Sequence, residues 1–161
     1  LKTVQVLLSN LVKFNNSKVK ETVVVHLDKM KIKEPKFRCG TEKAIKELVA
    51  EYDYPYAEWM QDWPYEIAES KEIENYFRHY DEQTDDDKKF SLMEMLIQAL
   101  TDIENDTEFN KNWNLLKERI TKDFKIHEYT FFYWSCFGEK LSDCWKVTPY
   151  MRELWKEIKN G

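Results

Sequence analysis

Glycine and proline are scarce, at three and four in 161 residues. A fold of many hairpins needs more turn-makers than that. Long helices joined by short links are expected instead of an all-β domain. No apolar run approaches the ~20 residues of a membrane span. No secretory signal is visible either, although a leader removed ahead of Leu1 is the alternative. Cysteine is sparse and unpatterned. Cys39, Cys136 and Cys144 form an odd set without CxxC spacing, and read as reduced, mostly buried thiols in a reducing cytoplasm. A Cys136–Cys144 disulfide or a metal site is the other reading. The histidines, His26, His79 and His127, supply no HExxH and no i, i+4 pair. GxGxxG and GxxxxGK[ST] are missing too, so no cofactor is expected.

What the chain does have is helical periodicity, aromatics and uneven charge. At 161 residues, 42% hydrophobic and 34% charged, it reads as one globular domain able to bury a core. Its clearest element is residues 84–105, TDDDKKFSLMEMLIQALTDIEN. Thr84 reads as the N-cap, and Asp85, Asp86 and Asp87 complement the positive end of the helix dipole. Two apolar rows follow at steps of three and four. One is Phe90, Met93, Ile97 and Leu100; the other is Leu92, Leu96, Ala99 and Ile103. A helix apolar on two sides is buried on two sides, so other helices should surround it. Asn105 and Asp106 read as its polar stop.

Further helices are expected along the chain. Residues 2–15 place Val4, Leu7, Leu8, Leu11 and Val12 on one face. Residues 18–30 fit a helix through Val19, Val23, Leu27 and Met30, yet Val23, Val24 and Val25 are β-branched, so a small β element near 22–27 competes. Thr41 caps a helix over 42–52, with Ala44, Ile45, Leu48 and Val49 inward. A short helix over 57–62 would end ahead of Pro64. Residues 71–80 turn Ile73, Tyr76 and Phe77 inward. Thr107 would cap 108–122, with Phe109, Trp113, Leu116 and Ile120 inward. The run IHEYTFFYWSCF fits a helix over 126–137 through Ile126, Tyr129, Phe132, Tyr133 and Cys136, stopped by Gly138; a buried strand is the alternative. Thr148-Pro149 reads as cap and first-turn proline of a helix bearing Met151, Leu154, Trp155 and Ile158. The fold class is therefore all-α, a bundle or stacked helix pairs.

Charge is unevenly spread. Residues 1–47 carry 11 Lys/Arg and 5 Asp/Glu, whereas residues 48–87 carry 2 against 13, a net of −11. Residues 88–161 balance at 12 of each. The acidic segment also holds Tyr52, Tyr54, Tyr56, Trp59, Trp63, Tyr65, Tyr76, Phe77 and Tyr80, interleaved with Asp53, Glu58, Asp62, Glu66, Glu69, Glu72 and Glu74. Such a segment is either a solvated face or a surface for a basic partner. In the second case aromatics anchor, and carboxylates steer a cationic protein into register. The expected contact set is Asp53, Tyr54, Tyr56, Glu58, Trp59, Asp62, Trp63, Glu66 and Glu69. The basic stretch with Lys29, Lys31, Lys33, Lys36 and Arg38 could meet phosphates, but the chain is net −5 and lacks a nucleic-acid motif. No nucleic acid partner is expected; balance by the acidic segment is.

Small size, acidity and aromatic richness, with the strings KFSLMEMLIQAL, HEYTFFYWSC and WKVTPYMRELW, give a chain that resembles the immunity proteins of bacterial polymorphic toxin and contact-dependent inhibition systems. The resemblance implies a cytoplasmic, non-enzymatic inhibitor of a toxin domain. It lies in overall character and assigns a role to no single residue. Two other classes compete. One is a small metal-dependent or thiol enzyme, using His79 with Asp85, Asp86 and Asp87, or His127 with Cys136 or Cys144. Asp85–Asp87 lack the spaced ligands and glycine of an EF-hand loop. The other is a structural subunit that homo-oligomerises through its aromatics.

Overall fold

The computed structural model describes residues 32–160. The elements expected over 2–15 and 18–30, including the β element near 22–27, lie outside the described residues. Among the described residues there are seven α-helices and no strand. The fold is all-α. In order they are α1 (Glu42–Tyr52), α2 (Trp63–Ile67), α3 (Ile73–Glu82), α4 (Asp86–Thr101), α5 (Asp106–Lys122), α6 (Phe124–Ser135) and α7 (Thr148–Asn160), with 3-10 turns at Ser70–Glu72 and Leu141–Asp143.

Helix α4 runs through the middle and packs against α1, α2, α3, α5 and α6. Both of its apolar rows are buried, and every residue from Phe90 to Ile97 is sequestered. Full burial of each large side chain stabilises by about 1.5–3 kcal/mol, so this one helix anchors much of the core. Its cap is Asp85, not Thr84: the carboxylate accepts from the Asp87 and Lys88 N–H groups at 2.9 and 3.0 Å. A carboxylate brings full charge to the positive helix end, which a hydroxyl cannot. Ahead of α1, Gly40 lies so close to α4 that a Cβ there would stand 2.8 Å from Ser91 Oγ.

Other boundaries shift for comparable reasons. Thr41 caps α1 as expected, accepting from Ala44 N at 3.3 Å. Asn105 does not stop α4 but caps α5, accepting from Glu108 N at 3.0 Å. Thr107, the expected cap, therefore lies inside the first turn. Pro64 starts a helix where it was expected to stop one, because a first-turn proline leaves no N–H unsatisfied. Residues 57–60 form only a turn, closed by Met60 N donating to Ala57 O at 3.0 Å. Thr148 sits inside α7, and its hydroxyl donates to Trp134 O at 2.9 Å.

Helix α6 buries a different row from the expected one. His127, Thr130, Phe131 and Trp134 face inward, while Tyr133 is half exposed and Tyr129 half-buried. It ends at Cys136, which takes the left-handed conformation (φ 48°) two residues before Gly138. The α6 C-terminus is closed from α7. Arg152, 8% exposed, donates from Nε to Ser135 O at 2.7 Å and from Nη2 to the carbonyls of Cys136 and Glu139.

The cysteines are free, but less buried than expected: Cys39 is exposed, and Cys136 and Cys144 are partly buried.

Candidate functional site

The chain leaves α1 through Asp53, whose left-handed conformation (φ 55°) turns it sharply; Asp is among the residues that tolerate this. Residues 54–62 then cross the surface as a loop pinned from beneath by rings. Trp63 donates from Nε1 to Pro55 O at 2.8 Å and is 1% exposed. Tyr54 sets its ring edge-on to Trp63, with centroids 5.8 Å apart, and its hydroxyl meets His79 Nδ1. Tyr52 stacks on His79 at 3.7 Å. With the underside fixed, Tyr56, Glu58, Trp59 and Asp62 point outward, and Trp59 is 73% exposed.

Next to this loop is a cleft of about 370 Å³, lined by Asp62, Tyr65, Glu66, Gln98, Tyr133, Trp134 and Trp145. Four segments build it. Helix α2 and its cap bring Asp62, Tyr65 and Glu66. Gln98 comes from α4, Tyr133 and Trp134 from α6, and Trp145 from the α6–α7 loop. Glu66 reaches back to accept from Asp62 N at 3.1 Å, while the Asp62 side chain makes no cap bond. Trp145 lies 4.5 Å from Trp134 and 5.5 Å from Tyr133, centroid to centroid. Its neighbour Lys146 ties that loop to the α4–α5 turn through the carbonyls of Ile103 and Glu104 and the Asp106 carboxylate.

Beneath Tyr65 sits Glu94, one helical turn before Gln98 and 9% exposed. Tyr65 donates to its Oε1 at 2.9 Å. Burial pushes its carboxyl up to about 7; the nearby Asp62 charge adds to this and the Tyr65 bond offsets part. Burial likewise pushes the Tyr65 hydroxyl well above its ordinary value.

The expected contact residues therefore divide. Asp62 and Glu66 line the cleft. Asp53, Tyr56, Glu58 and Trp59 stand on the loop beside it. Tyr54 is half-buried, with its hydroxyl engaged by His79. Trp63 belongs to the core and offers no surface to a partner; it braces the loop instead. Glu69 is exposed but paired with Lys71 at 2.5 Å. Glu94, Gln98, Tyr133, Trp134 and Trp145 were missing from the expected set. An isolated acid inside KFSLMEMLIQAL was the one signal that could have found Glu94.

The alternative chemical sites do not assemble. Asp85 is spent on its cap and Asp87 pairs with Arg38 at 2.7 Å. His79 is enclosed by Tyr52, Tyr54 and Arg78. Arginine only donates, so His79 Nε2 accepts from Arg78, and Nδ1 carries the proton toward Tyr54. Among the described residues, no group of three or more His, Cys, Asp or Glu could hold a metal ion. His127 is fully buried; its Nε2 lies 2.7 Å from Tyr80 Oη, which donates to Asp123 Oδ2 at 2.8 Å. Burial holds His127 down to about 3, so it is a neutral core histidine. Cys144 Sγ donates to Lys140 O at 3.1 Å and receives Arg152 at 3.8 Å; these contacts belong to the α6–α7 loop and do not involve His127.

No family model matches the chain. No curated protein and no solved structure is found similar to it. Among the described residues, no helix is long and apolar enough to cross a membrane.

Proposed function

We propose that this chain is a non-enzymatic binding protein that takes a basic protein domain on its loop 53–62 and the adjoining cleft, in the manner of an immunity-type toxin inhibitor. One observation carries the reading. Asp53, Glu58, Asp62 and Glu66 make no ion pair with a described residue, and they share residues 53–66 with an exposed Trp59. Several acids on the helices are matched instead: Glu47 and Glu51 by Lys88, Asp81 by Arg119, Asp123 by Lys89, and Glu157 by Lys117. Unmatched carboxylates that share a braced segment with an aromatic suit a cationic partner, which they attract and orient. Small size and acidity support the inhibitor form of the reading.

The test starts with the product of the neighbouring gene, since toxin and immunity genes normally sit together. Its growth-inhibiting effect should be relieved by co-expression of this chain. Binding kinetics at two ionic strengths follow. Reversing Glu58 and Asp62 to Lys should slow association, with the wild-type rate falling toward it as salt shortens the Debye length to ~8 Å and below. Trp59→Ala should chiefly raise the dissociation rate, by ~2 kcal/mol or more if it is an anchor. If the reversed variant associates as fast as wild type at low salt, the segment is only a solvated face.

A further inference from the structure

The cleft beside the loop has features that a merely charged face does not need. Asp62 and Glu66 stand at one wall, Tyr133 and Trp145 at another, and Glu94 lies below Tyr65. Around Glu94 the ionisable groups are Asp62 and Tyr65 from the α2 segment and Tyr129 and Tyr133 from α6, with Glu66 at the rim. None of these is a cation, and no described Lys or Arg forms an ion pair with Asp62, Glu66 or Glu94. Two carboxylates, Asp62 and Glu66, and four rings, Tyr65, Tyr133, Trp134 and Trp145, thus line one concave space without a counter-charge from a described residue, and the Glu94 carboxyl lies beneath Tyr65.

We propose that this cleft seats a single arginine side chain of the basic partner, an inference that rests on the binding reading above. A guanidinium is flat and weakly hydrated. It can lie against an indole or phenol face while its fork of N–H donors meets carboxylates. A lysine ammonium is compact and strongly hydrated, and it matches the rings and the pair of acids less well. A space of about 370 Å³ admits the guanidinium and its methylene stem. The arriving charge favours the ionised form of Glu94 beneath Tyr65, whose carboxyl burial raises to about 7; seating the cation therefore drives off its proton.

The intact protein is titrated with N-acetyl-arginine methylamide while the Trp145 and Trp134 indole resonances are followed by NMR. A saturable shift is expected, several-fold weaker with the lysine analogue and not detected with the neutral citrulline analogue. Asp62→Asn with Glu66→Gln should abolish it, with an unchanged melt showing the fold intact. Glu153→Gln, exposed on α7, should leave it alone. Affinity should rise about tenfold from pH 6 to pH 8, following ionisation of Glu94, and should be flat with pH in Glu94→Gln. No saturable shift, equal binding of citrulline, or lysine binding as tightly as arginine overturns the proposal. The titration contains no partner protein. Its failure leaves salt-dependent association intact as evidence for the binding reading, and failure of that association leaves the titration unaffected.

Discussion

Replacing Glu94 by Gln should stabilise the protein, and the gain should depend on pH. Glu94 sits on the most buried helix and is 9% exposed, with its carboxyl raised from an ordinary 4.5 to about 7. The unfolded chain therefore gives up this proton at lower pH than the folded chain does. Below about 4 both states hold it, and the group is neutral in the balance. Between about 4.5 and 7 the unfolded state is progressively favoured by its ionisation. Above 7 the folded state carries a buried charge, and the penalty stays constant. At 1.36 kcal/mol per pH unit, the 2.5-unit difference is worth about 3 kcal/mol at the plateau. Between pH 5 and pH 8 the penalty grows by about 2.5 kcal/mol. Glutamine keeps the shape and can still accept from Tyr65, but it cannot ionise. For a chain of this size each kcal/mol moves the melting temperature by roughly 2–4 °C. The difference in melting temperature between variant and wild type should thus widen by about 5–10 °C from pH 5 to pH 8. Circular dichroism melts at four pH values give the answer. Parallel curves for the two proteins would show that Glu94 ionises normally, and its burial beneath Tyr65 would then not penalise the charge.

Three further outcomes are expected. Ile97→Asp should abolish cooperative unfolding in calorimetry, since it places a charge on a fully buried face of α4 at a cost of several kcal/mol, comparable with total stability. Tyr80→Phe should cost about 1–3 kcal/mol in urea denaturation, because it strips a partner from both buried His127 Nε2 and Asp123. Thiol titration in denaturant without reductant should count three free thiols; a count of one would reveal a disulfide and move the protein to an oxidising compartment.

The α4 segment was legible because two regular apolar rows and an acidic start point to one answer. Helix ends were less so. Thr84 competes with Asp85, and Thr107 with Asn105, and the winner depends on which side chain reaches the free N–H groups in three dimensions. In α6 the misreading has a different cause. FFYW presents large rings on adjacent positions, so apolarity alone does not choose a face. The choice is made by Tyr80 and Asp123, which give His127 a reason to be inside; both lie outside α6 itself. Turning that helix by one position is what exposes Tyr133 to the cleft. The acidic loop was visible in the charge count, but which of its aromatics brace it and which stand free was not. Trp63 and Trp59 differ by four positions, yet one is 1% exposed and the other 73%. The cleft unites residues from 62 to 145, and no local pattern spans that distance.

Arg152 has a consequence for how the molecule comes apart. The last carbonyls of α6 have no partners of their own along that helix, and a side chain from α7 satisfies Ser135, Cys136 and Glu139 together. Fraying at that terminus is then not a private event. Opening α7 withdraws the guanidinium, bares carbonyls at the end of α6 and frees the loop that holds Trp145. Amide protons of late α6 and of α7 should therefore exchange with solvent at one shared rate, as a unit distinct from α4. One wall of the cleft belongs to that unit, whereas Gln98 belongs to α4, whose buried amides should exchange slowest. The two sides of the binding space would thus separate at different levels of thermal excitation, and the softer side is the one carrying Tyr133, Trp134 and Trp145.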